Sequence, residues 1–415
     1  MKRKGFYLLC FSIMLLLTGL MGGCSKNKTV EDDKGTEEAN DGITDNSQTE
    51  NEKEDETKTN TPVIEEAVMA ELTKDDFTPN WTLINNENGF TDLSVGTFVA
   101  AYNVLDYGAD PTGEKNSTKI FLTLLTKLKE MGGGTLYVPD GMYKLTGRLI
   151  IPKGVTLRGD WKKPEKDKPV EGTVLMAYYG LNGSPYDDPF ISMEIGAGVM
   201  NVAIWYPKQD PNNIQPYAPT ITMGVPGYFG NEYNNVKNVT MINPYIGVLF
   251  SYENGGASPV INGLYGTPLY VGAEVDNIAD VGRLEWIDLS PDYWIHSGLY
   301  ARLGIEDPFK DNKAADSVKK YVYENATGVV MRRNDWSYTT YLTVDGYKEG
   351  YRASETVSSD PGAAPNGHHY DFDFTNCKTG VYIEATNDVG ILFNKLTMKD
   401  CENGIVVGDN TGGAV

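Results

Sequence analysis

The chain has 415 residues, of which 57 are acidic and 36 are Lys or Arg, so its formal net charge is −21 at pH 7. This acidity argues against a nucleic-acid-binding protein, which needs a basic face, and against a protein held at a membrane by basic residues. An acidic polysaccharide would be repelled overall, unless a local basic patch or a bound cation such as Ca²⁺ offsets the charge.

The first 23 residues have the features of an export signal. Three basic residues open the chain, an apolar core follows at 6–20, and the tetrapeptide Met-Gly-Gly-Cys ends at Cys24. This tetrapeptide resembles a lipobox, in which small residues precede a cysteine that becomes lipidated. The apolar core is too short for a lasting transmembrane helix. We therefore expect residues 1–23 to be a lipoprotein signal peptide and Cys24 to carry the lipid, with an ordinary signal peptide as the alternative.

An acidic segment separates Cys24 from the rest of the chain. From residue 25 to 76 it contains 17 acidic and six basic residues and no aromatic residue. Such a composition cannot bury enough apolar surface to offset the chain entropy, so residues 24–76 are expected to be a disordered tether. A lipid anchor followed by a long tether suits a cell without an outer membrane. The sequence thus predicts a location on the extracellular face of the membrane of a Gram-positive cell.

The segment 102–160 contains a distinctive order of predicted elements. A short apolar strand at 104–105 leads into a turn at 108–113, an amphipathic helix follows, and three glycines then precede β-rich segments at 135–139, 143–151 and 155–158. A parallel β-helix leaves the apolar end of its first coil open. An amphipathic helix laid over that end would bury it and block edge pairing.

This segment resembles the N-terminal part of the pectate-lyase-like superfamily, in the branch of rhamnogalacturonase-, polygalacturonase- and epimerase-like β-helix proteins. The residues that carry the resemblance are Val104, Asp106, Tyr107-Gly108-Ala109-Asp110, the glycines at 132–134, Tyr137-Val138-Pro139, Gly141, Tyr143 and Leu157-Arg158-Gly159. The resemblance implies an all-β fold, a single-stranded right-handed parallel β-helix over residues 77–415 with an N-terminal capping helix, and a polysaccharide partner. Because the same opening occurs in hydrolases, lyases, an epimerase and phage tailspikes, it does not select a reaction.

A loose repeat continues through the second half of the chain. At intervals of 22 to 30 residues a glycine precedes an apolar strand, at Gly247, Gly272, Gly298, Gly328, Gly350, Gly380 and Gly404. This period predicts one β-helix coil per glycine, with the glycine in an unusual turn conformation, whereas a β-sandwich would show turns every ~8–12 residues. The chain stops at 408–415 inside the repeat without a closing cap. A fragment of a longer protein is therefore expected.

Two cysteines support this register. Cys377 and Cys401 each lie three residues before a repeat glycine, so they are predicted to stack on neighbouring coils. We expect a pair of small buried residues, with a disulfide as the alternative, because adjacent in-register strands give awkward geometry for a bridge.

The candidate catalytic residues are carboxylates beside aromatic side chains. Asp288 and Asp292 flank the end of a predicted strand, and Asp335 follows an arginine pair on the next predicted coil. Glycoside hydrolysis needs a carboxylic acid for the leaving group and a second carboxylate as base or nucleophile. The predicted substrate-binding residues near them are Arg333, His296, Trp294, Trp336 and, farther away, Trp205. Turn formation and surface ion pairs are the alternative roles.

The sequence leaves three functions open. The polygalacturonase branch carries Asn-Thr-Asp, paired Asp, Gly-His-Gly and Arg-Ile-Lys motifs, and none of these supplies a residue that can be carried over. We expect a polysaccharide hydrolase that uses two carboxylates. The alternatives are a Ca²⁺-assisted polysaccharide lyase and a non-catalytic glycan-binding β-helix. No protein metal site is predicted, because His368 and His369 are adjacent on a strand and must face opposite ways.

Overall fold

The computed structural model describes residues 78–85, 97–224, 231–250, 255–358 and 362–411. The predicted signal peptide, Cys24 and the predicted tether lie outside the described residues, as does the end of the chain at 412–415. Within the described ranges, no helix is long and apolar enough to cross a membrane.

The described part of the chain consists mainly of short strands joined by turns. The strands in chain order are β1 (Thr82–Asn85), β2 (Thr97–Ala100), β3 (Tyr102–Asn103), β4 (Thr112–Asn116), β5 (Gly134–Val138), β6 (Gly141–Leu145), β7 (Leu149–Ile151), β8 (Val155–Gly159), β9 (Thr173–Ala177), β10 (Ile191–Met193), β11 (Gly198–Trp205), β12 (Ile221–Met223), β13 (Asn235–Met241), β14 (Ile246–Phe250), β15 (Val260–Gly266), β16 (Val271–Val275), β17 (Arg283–Leu289), β18 (Thr327–Met331), β19 (Ser337–Asp345), β20 (Glu349–Ala353), β21 (Gly367–Thr375), β22 (Thr379–Thr386), β23 (Ile391–Lys399) and β24 (Asn403–Thr411). The α-helices are α1 (Thr118–Glu130), α2 (Asp292–Ile295), α3 (Leu299–Arg302) and α4 (Asn312–Asn325).

Two parallel sheets form the body of the fold. A nine-stranded sheet runs in the order β24-β22-β20-β18-β16-β14-β12-β10-β7, and a thirteen-stranded sheet has the path β23-β21-β19-β17-β15-β13-β11-β8-β5-β3 with β4, β6 and β9 beside it. From β10 onward, successive strands alternate between the sheets, so each coil adds one strand to both. The predicted right-handed parallel β-helix is confirmed, and the parallel pairing excludes the β-sandwich.

The helix α1 covers the first coil, as predicted. Its buried side chains include Phe121, Leu124 and Leu128, and the ring of Phe121 lies 5.8 Å from that of Tyr143 with a 63° angle between the planes. The apolar face of the helix therefore covers the core at this end of the fold.

Two strands predicted in the opening segment are not formed as predicted: one is a 3₁₀ turn and the other is divided between the two sheets. The residues predicted as a strand at 104–105 form a 3₁₀ turn, Val104–Tyr107, because the Asn103 side chain accepts the Leu105 backbone N–H and Gly108 closes the turn in the left-handed conformation. The predicted strand at 143–151 breaks in two, because β6 belongs to the thirteen-stranded sheet and β7 to the nine-stranded one.

Six of the seven repeat glycines form a ladder on neighbouring strands of the nine-stranded sheet: Gly247, Gly272, Gly328, Gly350, Gly380 and Gly404. Their role is different from the predicted one, since none of the six has a positive φ. A side chain on Gly272 would instead collide with the carbonyl oxygen of Gly328 on the next coil, and one on Gly328 would stand 2.6 Å from that of Gly350. Glycine is needed here because the coils approach closely.

The seventh glycine, Gly298, lies outside the ladder. It precedes α3 with φ 66°, inside an insertion between β17 and β18 that also contains α2 and α4. A 3₁₀ turn at Pro308–Lys310 directly precedes α4. One coil is therefore much longer than the repeat predicted.

A second row of special backbone conformations marks a corner in the thirteen-stranded sheet. Seven consecutive coils place a residue of positive φ at the same register position: Asn201, Asn238, Gly263, Trp286, Tyr341, Asp371 and Lys395. We call this the corner row. Asn and Gly tolerate this conformation, whereas a bulky residue such as Trp286 or Tyr341 pays about 1–2 kcal/mol for it.

The predicted register of the cysteines is confirmed. Cys377 is buried, Cys401 is half-buried, and both are free thiols. They lie on neighbouring coils, where the backbone N–H of Glu402 donates to the carbonyl oxygen of Cys377 at 3.2 Å. Burial raises the pKa of the Cys377 thiol to about 12.

The adjacent histidines face opposite sides of β21, as predicted. His368 is exposed, whereas His369 is 1% exposed, with its Nε2 atom 2.9 Å from the Tyr351 hydroxyl. Burial lowers the pKa of His369 to about 3. The imidazole is therefore neutral in the folded core at neutral pH.

We expect Gly272→Ala to lower the free energy of unfolding by about 1–3 kcal/mol, because the added methyl group must displace the neighbouring coil. Gly404→Ala is the matched control, since its nearest obstacle is the flexible Met398 side chain with Sδ at 3.3 Å. Denaturant unfolding of both variants measures the difference. Equal losses would contradict the close approach of the coils.

Acidification should destabilise the fold through His369. The folded pKa is about 3 and the unfolded pKa is near the ordinary value of 6.5, so between them the unfolded chain binds the extra proton. Stability is therefore lost as pH falls from about 6.5 toward 3, by up to ~1.4 kcal/mol per pH unit. His369→Gln should flatten this dependence in unfolding measured at several pH values, whereas the exposed His368→Gln should leave it unchanged.

Candidate functional site

The glycine ladder determines which side chains point to the outer face of the nine-stranded sheet. The residue after each of the first five ladder glycines, such as Val248 or Ala273, is buried in the core, so the next residue points to the outer face. The register places these outward residues side by side, in the order Leu249, Glu274, Val330, Arg352 and Tyr382. Neighbouring members of this row are about 4.8 Å apart.

A cavity of about 280 Å³ opens on this outer face, and we call it the cleft. Its apolar floor is formed by Ile246, Leu249 and Val271, which pack with Val330 in one buried cluster. Two exposed rings line it, Tyr186 with 80% and Tyr270 with 41% of the residue accessible. Tyr270 is held by a parallel stack on Tyr245, with ring centroids 5.1 Å apart and a 6° angle between the planes.

A carboxylate and a guanidinium form the charged wall of the cleft. Arg332 Nε donates to Glu274 Oε1 at 2.8 Å, and its NH1 group donates to the Glu355 carbonyl oxygen at 2.8 Å. The Glu274 side chain is only 13% exposed. Burial raises the pKa of Glu274 above its ordinary value, and the adjacent Arg332 only partly opposes this shift. Glu274 thus keeps its proton to a higher pH than an ordinary glutamate.

The loop that closes one side of the cleft is fixed by a buried carboxylate. Asp276 is fully buried, and its Oδ2 atom accepts the backbone N–H of Val357 at 2.9 Å. Val357 and Ser358 line the cleft. The Asp276 bond therefore ties the lining of the cleft to the strand that carries Glu274.

A second carboxylate, Glu384, lies on the same face in an opposite electrostatic environment. It accepts hydrogen bonds from the Ser354 hydroxyl at 2.5 Å and from Arg352 NH2 at 2.9 Å. Burial alone would raise the pKa of Glu384, but the bonds from Ser354 and Arg352 outweigh it and hold the pKa below its ordinary value. Glu384 lies three strands from Glu274 in the sheet order β22-β20-β18-β16, so about 14 Å of strand spacing separates the two residues.

The three aspartates predicted for acid and base are divided between two places. Asp288 and Asp292 lie at the C-terminal end of β17, in ion pairs at 2.9 Å with Lys166 and Lys319, respectively. Asp335 precedes β19, where its backbone N–H donates to Ile278 before β17 begins. The length of β17 therefore separates Asp335 from the other two, and the structure does not bring the three together.

The predicted substrate-binding residues divide in the same way. Arg333 pairs with Asp335 at 3.3 Å, and the adjacent Trp336 is 45% exposed. His296 is exposed and lines a different cavity, of about 620 Å³, formed beside α4.

Two of the predicted substrate contacts are wrong. Trp294 and Trp205 are both fully buried, so neither ring has a face available to a sugar. Trp294 instead donates from Nε1 to the Tyr300 hydroxyl at 3.2 Å, and Trp205 packs edge-on against the Tyr300 ring at 5.1 Å. Both rings hold the insertion onto the coil.

Sequence reasoning did not select the cleft residues Glu274 and Arg332 for the site, nor Arg352 and Glu384 farther along the same face. The signal that identifies Glu274 and Arg352 is their place two residues after a ladder glycine. Across the residues that the structure describes, no three His, Cys, Asp or Glu side chains are grouped so as to hold a metal ion. The Ca²⁺ considered for a lyase remains a prediction.

Comparison with known families identifies the opening of the chain. Residues 101–196 match the family described as rhamnogalacturonase A/epimerase, pectate lyase-like. The match covers less than a quarter of the chain, and the parallel β-helix of the described residues agrees with it. No curated protein matches the chain.

The solved structures that are similar to this chain resemble it only weakly. A glycan biofilm-modifying enzyme of Pantoea stewartii with a tailspike-like parallel β-helix has 7% identity and a TM-score of 0.38, over 77% of this chain and 40% of that one. An exopolygalacturonase of Thermotoga maritima has 12% identity and a TM-score of 0.33, over 72% and 74%. The A-module of a mannuronan C-5 epimerase of Azotobacter vinelandii has 11% identity and a TM-score of 0.28, over 76% and 100%. Likenesses of this degree carry no information about the reaction.

We expect Arg332→Met to lower the free energy of unfolding at pH 7 by about 1–3 kcal/mol, because it leaves the mostly buried Glu274 without its cation. The loss should shrink near pH 4, where Glu274 is protonated. Arg333→Met is the control, since it removes only a partly exposed ion pair and should change stability by less than ~1 kcal/mol. Equal losses of unfolding free energy in Arg332→Met and Arg333→Met would contradict the buried ion pair of Arg332 with Glu274.

Proposed function

We propose that this protein is a carbohydrate-active enzyme that hydrolyses a polysaccharide bound along the outer face of the nine-stranded sheet. Glu274 carries the proposal, because it is a mostly buried carboxyl with a raised pKa at the wall of a cleft. A glycoside hydrolase needs such a protonated acid beside the leaving oxygen. The family match of residues 101–196 supports a polysaccharide as the substrate class.

In this proposal Glu274 donates its proton to the glycosidic oxygen as the bond to the anomeric carbon breaks. A water oxygen then bonds to the anomeric carbon, and its proton passes to bulk water. Glu384, three strands away from Glu274, does not share this glycosidic bond, because the two carboxyl groups of a hydrolase lie at most ~9.5 Å apart. Tyr186 and Tyr270 offer ring faces to the sugar, and the apolar floor excludes water from the bond that breaks. Arg332 orients the acid.

Two other functions each have an observation in their favour. Arg332 and Arg352 face the cleft side of the sheet, and an arginine base with Ca²⁺ would serve a polysaccharide lyase. Asp288, Asp292 and Asp335 are all engaged in ion pairs, which suits a non-catalytic glycan-binding surface. The lipid anchor at Cys24 and the extracellular location remain predictions.

The reaction class is tested by incubating the full chain with a panel of plant and bacterial polysaccharides, with Ca²⁺ or with chelator. The proposal expects new reducing ends without ultraviolet absorbance, in either condition. Absorbing, unsaturated products that depend on Ca²⁺ would instead identify a lyase. Retention on a polysaccharide without any product would identify a binding protein.

Glu274→Gln should lower the rate of hydrolysis by about 10²–10⁴, the usual contribution of a general acid. Glu355→Gln is the matched control, because its exposed side chain lies on the loop beside the cleft and does not enter the ion pair. Rates are measured as reducing ends, with circular dichroism to confirm folding.

The alternative, that the catalytic acid and base are among the three aspartates predicted from sequence, is tested in parallel. The variants Asp288→Asn, Asp292→Asn and Asp335→Asn should retain activity if the cleft is the site. Loss of turnover in any of them with normal activity in Glu274→Gln would move the site to the ends of β17.

A further inference from the structure

Exposed aromatic side chains gather on the outer face of the thirteen-stranded sheet, where the coils of β17, β19 and β21 lie side by side. The tryptophans and tyrosines among them are 38–47% exposed. We call the following six residues the aromatic strip: Trp286, Trp336, Tyr338, Tyr341, His368 and Tyr370.

The centre of the strip is a strained pair of rings. Trp286 and Tyr341 stack with centroids 4.0 Å apart and a 15° angle between the planes. Both lie in the corner row, with φ of 59° and 58°, a conformation rare for bulky side chains. Three earlier coils place Asn or Gly at this position, so the corner itself does not require a ring. Strain kept at an exposed position points to a function outside the core.

The other rings of the strip are held by their neighbours. Tyr370 lies edge-on to Tyr341 at 6.3 Å, and His368 is edge-on to Tyr338 at 5.8 Å and to Trp336 at 5.9 Å. Rings fixed in this way lose little conformational freedom when a ligand binds, and their faces carry the negative side of the ring quadrupole. Such faces attract the polarised C–H groups of a sugar.

The charges beside the strip differ from those of the whole chain. On the part of this face that carries the strip, the outward positions of β13 to β23 before the corner and the corner residues themselves, the charged side chains are three bases, Lys237, Arg283 and Lys395, and two acids, Glu285 and Asp371. Lys395 and Asp371 are 2.6 Å apart, and Asn262 donates to Glu285 at 2.8 Å. Three bases and two acids give this part of the face one net positive charge in a chain of net charge −21, so it suits an anionic polymer better than the acidic chain as a whole does.

We propose that the aromatic strip is a second, non-catalytic binding surface for an acidic polysaccharide, which runs across the coils with sugar rings on Trp286 and its neighbours. The strip lies on a different sheet from the cleft, so its binding does not depend on hydrolysis. It would keep the protein on its polymer between events at the cleft.

The test replaces the strained rings by the residue that the same row uses elsewhere. In Trp286→Asn and Tyr341→Asn the backbone keeps a conformation that Asn201 and Asn238 already adopt, so thermal stability should stay equal or rise. Retardation of the full chain in native gels containing sodium polygalacturonate should weaken about tenfold. The control is Tyr233→Asn, which removes an isolated tyrosine with φ 57° and 59% exposure and should leave retardation unchanged.

Three results would overturn the proposal. Undiminished retardation of Trp286→Asn would exclude the rings as a glycan surface. Equal retardation of the natural chain in dextran would exclude an acidic glycan as the preferred ligand. A natural chain that self-associates in sedimentation experiments, and becomes monomeric in Trp286→Asn with unchanged retardation, would show that a second copy occupies the strip.

The proposed hydrolysis is judged separately by its products. The strip variants should cleave short oligosaccharides at the natural rate, and Glu274→Gln should keep its retardation. Failure at one surface is therefore distinguishable from failure at the other.

Discussion

The close approach of successive backbones along the glycine ladder is the constraint on which the rest of this structure depends. Because a side chain on Gly272 would collide with the next coil, the strands of the nine-stranded sheet have one register, and a slip by one residue would turn every side chain to the other face. The same register that packs Val248 and Ala273 inside therefore brings Glu274 and Arg352 to one outer surface.

The register also explains why the cleft combines apolar and charged residues. Each coil contributes one outward residue to the same row, so the apolar floor from earlier coils continues into the pairs Glu274–Arg332 and Glu384–Arg352 of later coils. The raised pKa of Glu274 is a result of this neighbourhood, since the apolar residues that form the floor also remove water from the carboxyl group.

Features repeated along the chain were predictable from sequence, and features formed between distant segments were not. The coil period, the capping helix and the neighbouring cysteines follow from local pattern and spacing. The insertion after β17 interrupts the coil period. The spacing of the glycines therefore wrongly predicts a coil at Gly298, which lies inside this insertion. Trp294 and Trp205 were misjudged because an aromatic residue beside a loop can pack under it, and composition does not show which face it takes. Glu274 was missed because its burial depends on three other coils.

The free thiols bear on how such a protein matures. Cys377 and Cys401 occupy neighbouring coils, yet the fold is complete without a bond between them. A thiol with a pKa near 12 is almost entirely protonated at neutral pH, and the protonated form is a poor nucleophile, so Cys377 reacts slowly with oxidants and with other thiols. Within the described residues, apolar packing and backbone hydrogen bonds rather than a disulfide hold these two coils together.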